Sequence, residues 1–311
     1  RKFFAENSVF EQIIDFGHAP IFEDADVFPC IIAVRRPVDE ADDFEEDLDL
    51  KNAVKLCPVP REKLEDINLS QYVNQEGYEA PWSRFDGEPW SLEPPAVDEL
   101  IAKIESVGID LCKIINAKPH YGIKTGLNKA FIINADLRRV FIDKDPKSKD
   151  VIKPFLRGQD ISRWSPEWDD DLWMLLLKSS GDFNWPWSQQ DEETAQHIFS
   201  NTYPAIFEHL NSFGQKIRGR YDQGKYWWEL RTCEYYDLFS SPKLIYQEIQ
   251  FHPAYCFDDD EYFTNNKNFI LPNADLYVLA VLNSPLGWWH NWRYLPHMKD
   301  EALTPKGELI E

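Results

Sequence analysis

The chain has 311 residues, 43% of them hydrophobic and 14% aromatic, with 12 Trp. It carries 33 Lys+Arg against 54 Asp+Glu, a formal net charge of −21. Length and apolar content suit two or three domains with real cores. No run approaches 18 consecutive apolar residues, which excludes a membrane-spanning helix, and a surface of that average charge would repel nucleic-acid phosphates.

In chain order, "FEQIIDFG" (10–17) and "CIIAVRR" (30–36) are apolar, β-branched runs around the polar "HAPIFEDADVFP" and read as two strands. Residues 37–96 are acidic, proline-rich and poorly periodic, and read as a linker or irregular insertion. "PPAVDELIAKIESVGIDL" (94–111) places Val97, Leu100, Ile101, Ile104 and Val107 at helical spacing, with prolines at its start and Gly108 near its end. "YGIKTGLNKAFIINADLRRVFID" (121–143) reads as glycine turns alternating with strands over "AFIIN" and "RRVFID". "DLWMLLL" (171–177) is a buried-strand pattern. The stretch 194–217 reads as a helix broken at Pro204. "SPKLIYQEI" (241–249) reads as a strand, 255–271 as a hairpin region, and 273–292 as a helix capped by Asn273 or Asp275 and broken at Pro285. The pattern is mixed α/β, without internal repeats.

The average charge conceals segregation. Residues 1–100 hold 9 Lys+Arg and 24 Asp+Glu, a net −15. Residues 101–165 hold 13 against 7, a net +6. The acid concentrates in "DEADDFEEDLDL" (39–50), a run with the character of a solvated loop. Three basic segments follow: "YGIKTGLNKA" (121–130), "KPFLRGQDISRW" (153–164) and "QKIRGRYDQGKYWWELR" (215–231).

Catalytic signatures are scarce. The sequence has no G-x-G-x-x-G, P-loop, H-E-x-x-H or G-x-S-x-G. Its seven His are scattered, and Asp258, Asp259, Asp260 and Glu261 read as a solvent-facing tip rather than a cation site. The five cysteines, Cys30, Cys57, Cys112, Cys233 and Cys256, lack C-x-x-C spacing and suit free thiols in a reducing cytoplasm. No secretory leader pattern is visible. Arg1 already sits in what reads as a structured element, so a piece of a longer protein is expected.

"YGIKTGLNKAFIIN", "VIKPFLRGQDISRW", "SPKLIYQEI" and "LYVLAVLNSPLGWW", in that order, resemble the TaqI-like C-terminal specificity domain. That domain occurs in adenine-N6 DNA methyltransferases of the Eco57I type, in fused restriction–modification enzymes and in related phage-defence methylases. The similarity spans roughly residues 97–311, and "FEQIIDFGHAPIFEDADVFPCIIAVRR" resembles the last strand pair of the catalytic domain of the same enzymes. The resemblance implies three parts: methylase-core strands over 1–36, an insertion over 37–96 and a DNA target recognition domain over 97–311. It also implies double-stranded DNA as partner. The departures matter. The Asn-Pro-Pro-aromatic motif that receives a flipped adenine is missing, since the sole Pro-Pro lies in "EPPA" (93–96), and no Gly-rich cofactor loop is present. No cofactor is therefore expected in this chain; S-adenosylmethionine, and the catalytic domain that binds it, are expected of the full-length parent.

In the first basic segment, Lys124, Thr125, Asn128 and Lys129 beside Gly122 and Gly126 suit a tight turn facing phosphate, or a turn whose lysines are merely solvated. In the second, Lys153, Arg157 and Arg163 either contact DNA or edge a packed turn with Asp160 paired to Arg157. In the third, Arg218, Arg220, Lys225 and Arg231 alternate with aromatics; either they read DNA, an Arg taking a guanine edge, or Trp227 and Trp228 are core and the arginines pair with Asp222 and Glu229. Gln247 and Gln250 suit adenine or plain solvent, and Leu279, Leu282 and Leu286 helix packing. Two other functions fit the composition: a protein-interaction module of a phage-defence complex with slight DNA contact, and an acidic enzyme without a recognisable motif.

Overall fold

The strand Val9–Asp15 sends Phe10 and Ile13 into one packing layer, across a register shift between Phe10 and Gln12, and the adjacent Ile14 into another. The computed structural model that shows this describes residues 2–17, 21–22, 27, 29–36, 53–60, 63–64, 67–87, 90–296 and 302–305. The acidic run 39–50 lies outside the described residues. The chain divides into two compact units, 1–109 and 110–311. Its class is mixed α/β, and the described residues form three four-stranded sheets, two of them mixed and one antiparallel.

The first unit contains α1 (Lys2–Asn7), β1 (Val9–Asp15), β2 (Cys30–Arg35), β3 (Ala53–Pro58), α2 (Leu69–Glu76), β4 (Tyr78–Pro81) and α3 (Pro95–Val107). Its sheet runs β2-β1-β3-β4, with β1 antiparallel to β2 and parallel to β3. Phe10, Ile13, Val54, Leu56 and Phe85 pack on one face, and Ile14, Cys57, Val59 and Val73 on the other. The two runs expected as strands are thus neighbours. The linker expected over 37–96 is not irregular where it is described: β3 is a central strand, and α2 is capped by Asn68, whose side chain accepts from the Gln71 N–H at 3.2 Å. Six residues of alternation inside an acidic, proline-rich stretch had too little length to register as a period. Helix α3 belongs to this unit rather than to the following one. Arg84 pairs with Asp98 at 2.6 Å, and the Ser91 hydroxyl donates to Asp98 at 2.8 Å.

The second unit begins with α4 (Leu111–Ile115), β5 (His120–Tyr121), α5 (Asn128–Phe131), β6 (Ile132–Asn134) and α6 (Ala135–Lys144). There follow β7 (Ile152–Leu156), β8 (Leu172–Leu175), α7 (Glu192–Thr202), α8 (Pro204–Asn211), α9 (Gln215–Arg218) and β9 (Lys243–Gln247). It ends with β10 (Tyr255–Asp258), β11 (Phe263–Thr264), β12 (Asn268–Pro272), α10 (Leu276–Leu282) and α11 (Pro285–Tyr294). One sheet runs β11-β7-β8-β6 and the other β10-β9-β12-β5. Pro204 and Pro285 each occupy the first helical turn, where a missing N–H costs nothing, so each ends one helix pattern and starts the next. Asp275 caps α10 by accepting from the Val278 N–H at 2.9 Å.

Two expectations here are corrected. "RRVFID" is helical within α6, because the Asn134 side chain caps its N-terminus, accepting from the Leu137 N–H at 3.0 Å, and Phe141 is its buried anchor. Residues 255–271 are not a hairpin: β10 and β12 flank β9 on opposite sides, and β11 pairs with β7 in the other sheet.

The main core of this unit stacks aromatics. Trp228 lies parallel to Phe199 at 5.1 Å and to Tyr226 at 4.8 Å, and Trp187 packs edge-on against Phe199. Trp187 and Trp228 are both completely buried. A side chain of that size hides about 150–250 Å², an upper-limit contribution of roughly 4–6 kcal/mol each. A second cluster packs Val278, Leu279 and Leu282 of α10 against Tyr246, Phe269 and Leu271.

Candidate nucleic-acid interface

The first basic segment crosses the second sheet at its β5 edge. The Gly122 N–H donates to the Asn268 carbonyl at 2.9 Å and the Ile123 N–H to that of Thr264 at 2.7 Å. A Cβ on Gly122 would sit 2.0 Å from the Asn265 carbonyl oxygen, so only glycine permits this approach. Gly126 has φ +67°. Between these glycines, Lys124 points outward. Thr125 does not face solvent: it is 2% exposed, and its hydroxyl donates to Asn128 Oδ1 at 2.6 Å and accepts from the Leu127 N–H. Its expected phosphate contact is corrected on that ground, and Asn128 spends its oxygen on Thr125. Lys129 is exposed and has no ion pair among the described residues.

The third segment is anchored beneath the first. The Arg220 guanidinium is buried, 6% exposed, and donates to the carbonyl oxygens of Thr125 (2.6 Å), Asp222 (2.6 Å), Trp227 (3.0 Å) and Glu229. It also lies over the Phe131 ring. Burial lowers its pKa to about 10, which leaves it cationic at neutral pH. Arg220 therefore reads no base; it is a clip between the 121–129 and 220–231 segments. Trp227 and Trp228 are core, which settles that alternative for the aromatics. Glu229, also buried, accepts from the Ser180 and Trp187 side chains and from the Ser180 and Tyr226 N–H groups, so no arginine claims its carboxylate. Arg218 lies over Trp227 at 4.1 Å and donates to Asn211 Oδ1. Lys225 donates to the Ser188 carbonyl at 2.8 Å. Arg231 is half-exposed, its guanidinium 3.4 Å from Asp222 Oδ1.

The second segment is a packed turn. Asp160 is buried and accepts from the Arg157 backbone N–H (2.7 Å), Nε (3.1 Å) and Nη2 (2.7 Å), and Asp170 takes the same guanidinium. Arg157 is thus engaged by two carboxylates, which favours the packed-turn alternative for it. Lys153 is half-buried. Arg163 is exposed, with Nε on the Pro253 carbonyl at 3.3 Å.

Of the predicted residues, the structure brings Lys124 and Arg231 to one cleft of about 610 Å³. Tyr121, Asp182, Thr232, Cys233, Glu234 and Tyr235 also line it. Burial pushes the Tyr235 hydroxyl up to about 12, leaving it neutral and able to donate. Cys233 likewise is raised by burial and stays a thiol. Sequence reasoning missed these neighbours. "TCEYY" directly follows the third segment and Tyr121 opens the first, but Asp182 arrives from a distant loop without any local signal. Among the described residues no group of three or more His, Cys, Asp or Glu could hold a metal, all five cysteines are free, and no helix could cross a membrane.

No known family model matches the chain, and no curated protein matches it. Solved structures with partial similarity include the Type IIL restriction-modification enzyme MmeI in complex with DNA, at TM-score 0.43 and 11% identity over 98% of this chain and 35% of that one. The type IIG restriction endonuclease BpuSI gives TM-score 0.42 and 12% identity over 99% of this chain and 36% of that one. The chain spans about a third of the length of each.

Proposed function

We propose that the chain reads DNA sequence for a site-specific adenine-N6 DNA methyltransferase of the restriction–modification or phage-defence type. The observation that carries the reading is the Arg220 clip. It holds two basic segments about 95 residues apart in sequence against one another, with Lys124 and Arg231 on the same cleft. Lys124 and Lys129 neutralise phosphates, positioning the duplex without reading it. Arg231 and Arg163 keep donors turned to solvent and are the arginines left to reach a base edge. Arg218, Arg220, Lys225 and Arg157 position the surface through contacts within the fold. On this reading methyl transfer, and S-adenosylmethionine with it, belong to a catalytic domain outside this sequence, because neither the Asn-Pro-Pro-aromatic element nor a Gly-rich loop is present to hold base and cofactor.

Competition between labelled short duplexes of varied sequence tests the reading. One sequence class should resist competition by random DNA. Methyl transfer to DNA from labelled S-adenosylmethionine by this chain alone would contradict it. A second reading, a protein-interaction module, is favoured by one observation: Leu276, Tyr277 and Val281 of α10 and Leu286 of α11 are all exposed. Replacing Tyr277 and Val281 by polar residues should leave DNA binding intact under the first reading.

A further inference from the structure

We propose that the cleft beside Arg231 holds a single unstacked nucleobase bearing an exocyclic amine; this rests on the DNA-reading proposal for its most direct source of ligand. Three observations carry it. The first is size: about 610 Å³ falls within the range of small-molecule sites, roughly 300–1,000 Å³. The second is a pair of aromatic rings fixed from behind. Tyr121 is 43% exposed while its ring packs on Phe269 at 4.2 Å, and Tyr235 is backed by His120 at 4.5 Å. Rings already ordered lose little freedom when a base stacks on them.

The third is charge. A groove that only tracked phosphates would be lined by cations alone. This cleft sets Asp182 and Glu234 among Lys124 and Arg231. Asp182 is oriented by accepting from the Cys233 N–H through Oδ2 at 2.8 Å, which leaves Oδ1 for another donor. Glu234 is exposed and makes no hydrogen bond or ion pair among the described residues. Carboxylates accept from the amino group of cytosine or adenine and offer nothing to thymine's carbonyls. Lys124 then takes the attached phosphate. The shared chemistry is a nucleotide, supplied either by an unpaired position in DNA or by a free nucleotide.

The test uses 2-aminopurine, whose emission falls on stacking. The probes are a duplex with one bulged 2-aminopurine, the same duplex fully paired, and free 2-aminopurine nucleotide. We expect the bulged duplex to bind about tenfold more tightly than the paired one, with its emission quenched. Tyr121→Phe should keep that ratio and Tyr121→Leu should bring it near one. Glu234→Gln, at an exposed position, should lower it without affecting the fold. Equal binding of bulged and paired duplexes, with no dependence on Tyr121 or Glu234, would overturn the inference and leave DNA binding standing. Quenching of the free nucleotide without binding of either duplex would uphold the nucleotide site and remove the DNA-reading proposal. Binding of none of the three would overturn both.

Discussion

The Arg220 guanidinium donates to the Thr125 carbonyl across 95 residues of sequence, at 2.6 Å and out of contact with water. A residue that alternates with aromatics in a basic run has the sequence character of a DNA contact, yet here it serves as an internal fastener. Its planar fork reaches carbonyls at 125, 222, 227 and 229 at once, which lysine's single ammonium cannot reproduce.

Arg220→Ala should therefore lower stability by about 3–5 kcal/mol, because several buried carbonyl oxygens lose their donor together. Arg220→Lys should recover only part of that. Urea denaturation measures both. A specific loss of cognate-site discrimination at unchanged stability would show that Arg220 reads DNA after all.

The buried pair Lys243–Asp258, 2.5 Å apart and fully enclosed, gives a second stability prediction. Lys243 also donates to the Phe239 carbonyl, and Asp258 accepts from the N–H groups of Asp260 and Tyr262, so the pair ties β9 to the turn after β10. Lys243→Met leaves a buried carboxylate unpaired and should cost about 3–5 kcal/mol. The double variant Lys243→Met/Asp258→Asn should lose less than the sum of the single losses. Strict additivity in denaturant titrations would contradict the coupling.

A third prediction concerns acid. Burial lowers the pKa of His209 below its ordinary 6.5; its Nε2 lies 2.9 Å from the Ala130 carbonyl, and its ring packs on Phe141 and Phe213. A depressed folded-state pKa means that the unfolded chain binds more protons below pH 6.5. The stability tied to neutral His209 is full above that value and is lost as pH falls. Thermal unfolding should show a decline from pH 7.5 to 5.5 that is shallower in His209→Gln. An identical decline in both would assign the acid sensitivity elsewhere.

How much of this was legible depended on whether the deciding contacts were local. The strands β1, β2, β8 and β9 follow from short apolar runs, and the helix break at Pro204 from one residue's missing N–H. The helical state of "RRVFID" is hidden because its apolar residues are consecutive rather than at helical spacing: Phe141 is buried, Ile142 packs half-buried against the same core, and the helix start depends on the Asn134 cap. Strand β3 was hidden by its acidic surroundings. For the site, the exposure of Lys124 was legible, since Gly122 and Gly126 flank it, whereas Lys129 lies in α5. The fates of Arg220 and Arg157 were not legible. Arg157's nearer partner, Asp160, was visible three residues away, but Asp170 and the carbonyls that enclose Arg220 come together only in the folded chain.

On the proposed reading, Lys124, Lys129 and Arg231 form a phosphate-and-base surface on the second unit. The most direct measurement is duplex-DNA affinity by fluorescence anisotropy as salt rises from about 50 to 200 mM. Log affinity should fall linearly with log salt. Lys124→Ala and Lys129→Ala should each flatten that slope by about 1 and weaken all sequences alike. Arg231→Ala, if that residue meets a guanine, should cost about 1–3 kcal/mol on the preferred sequence and far less on random DNA. Affinity indifferent to salt, or unchanged in all three variants, would contradict a DNA-binding surface at these residues.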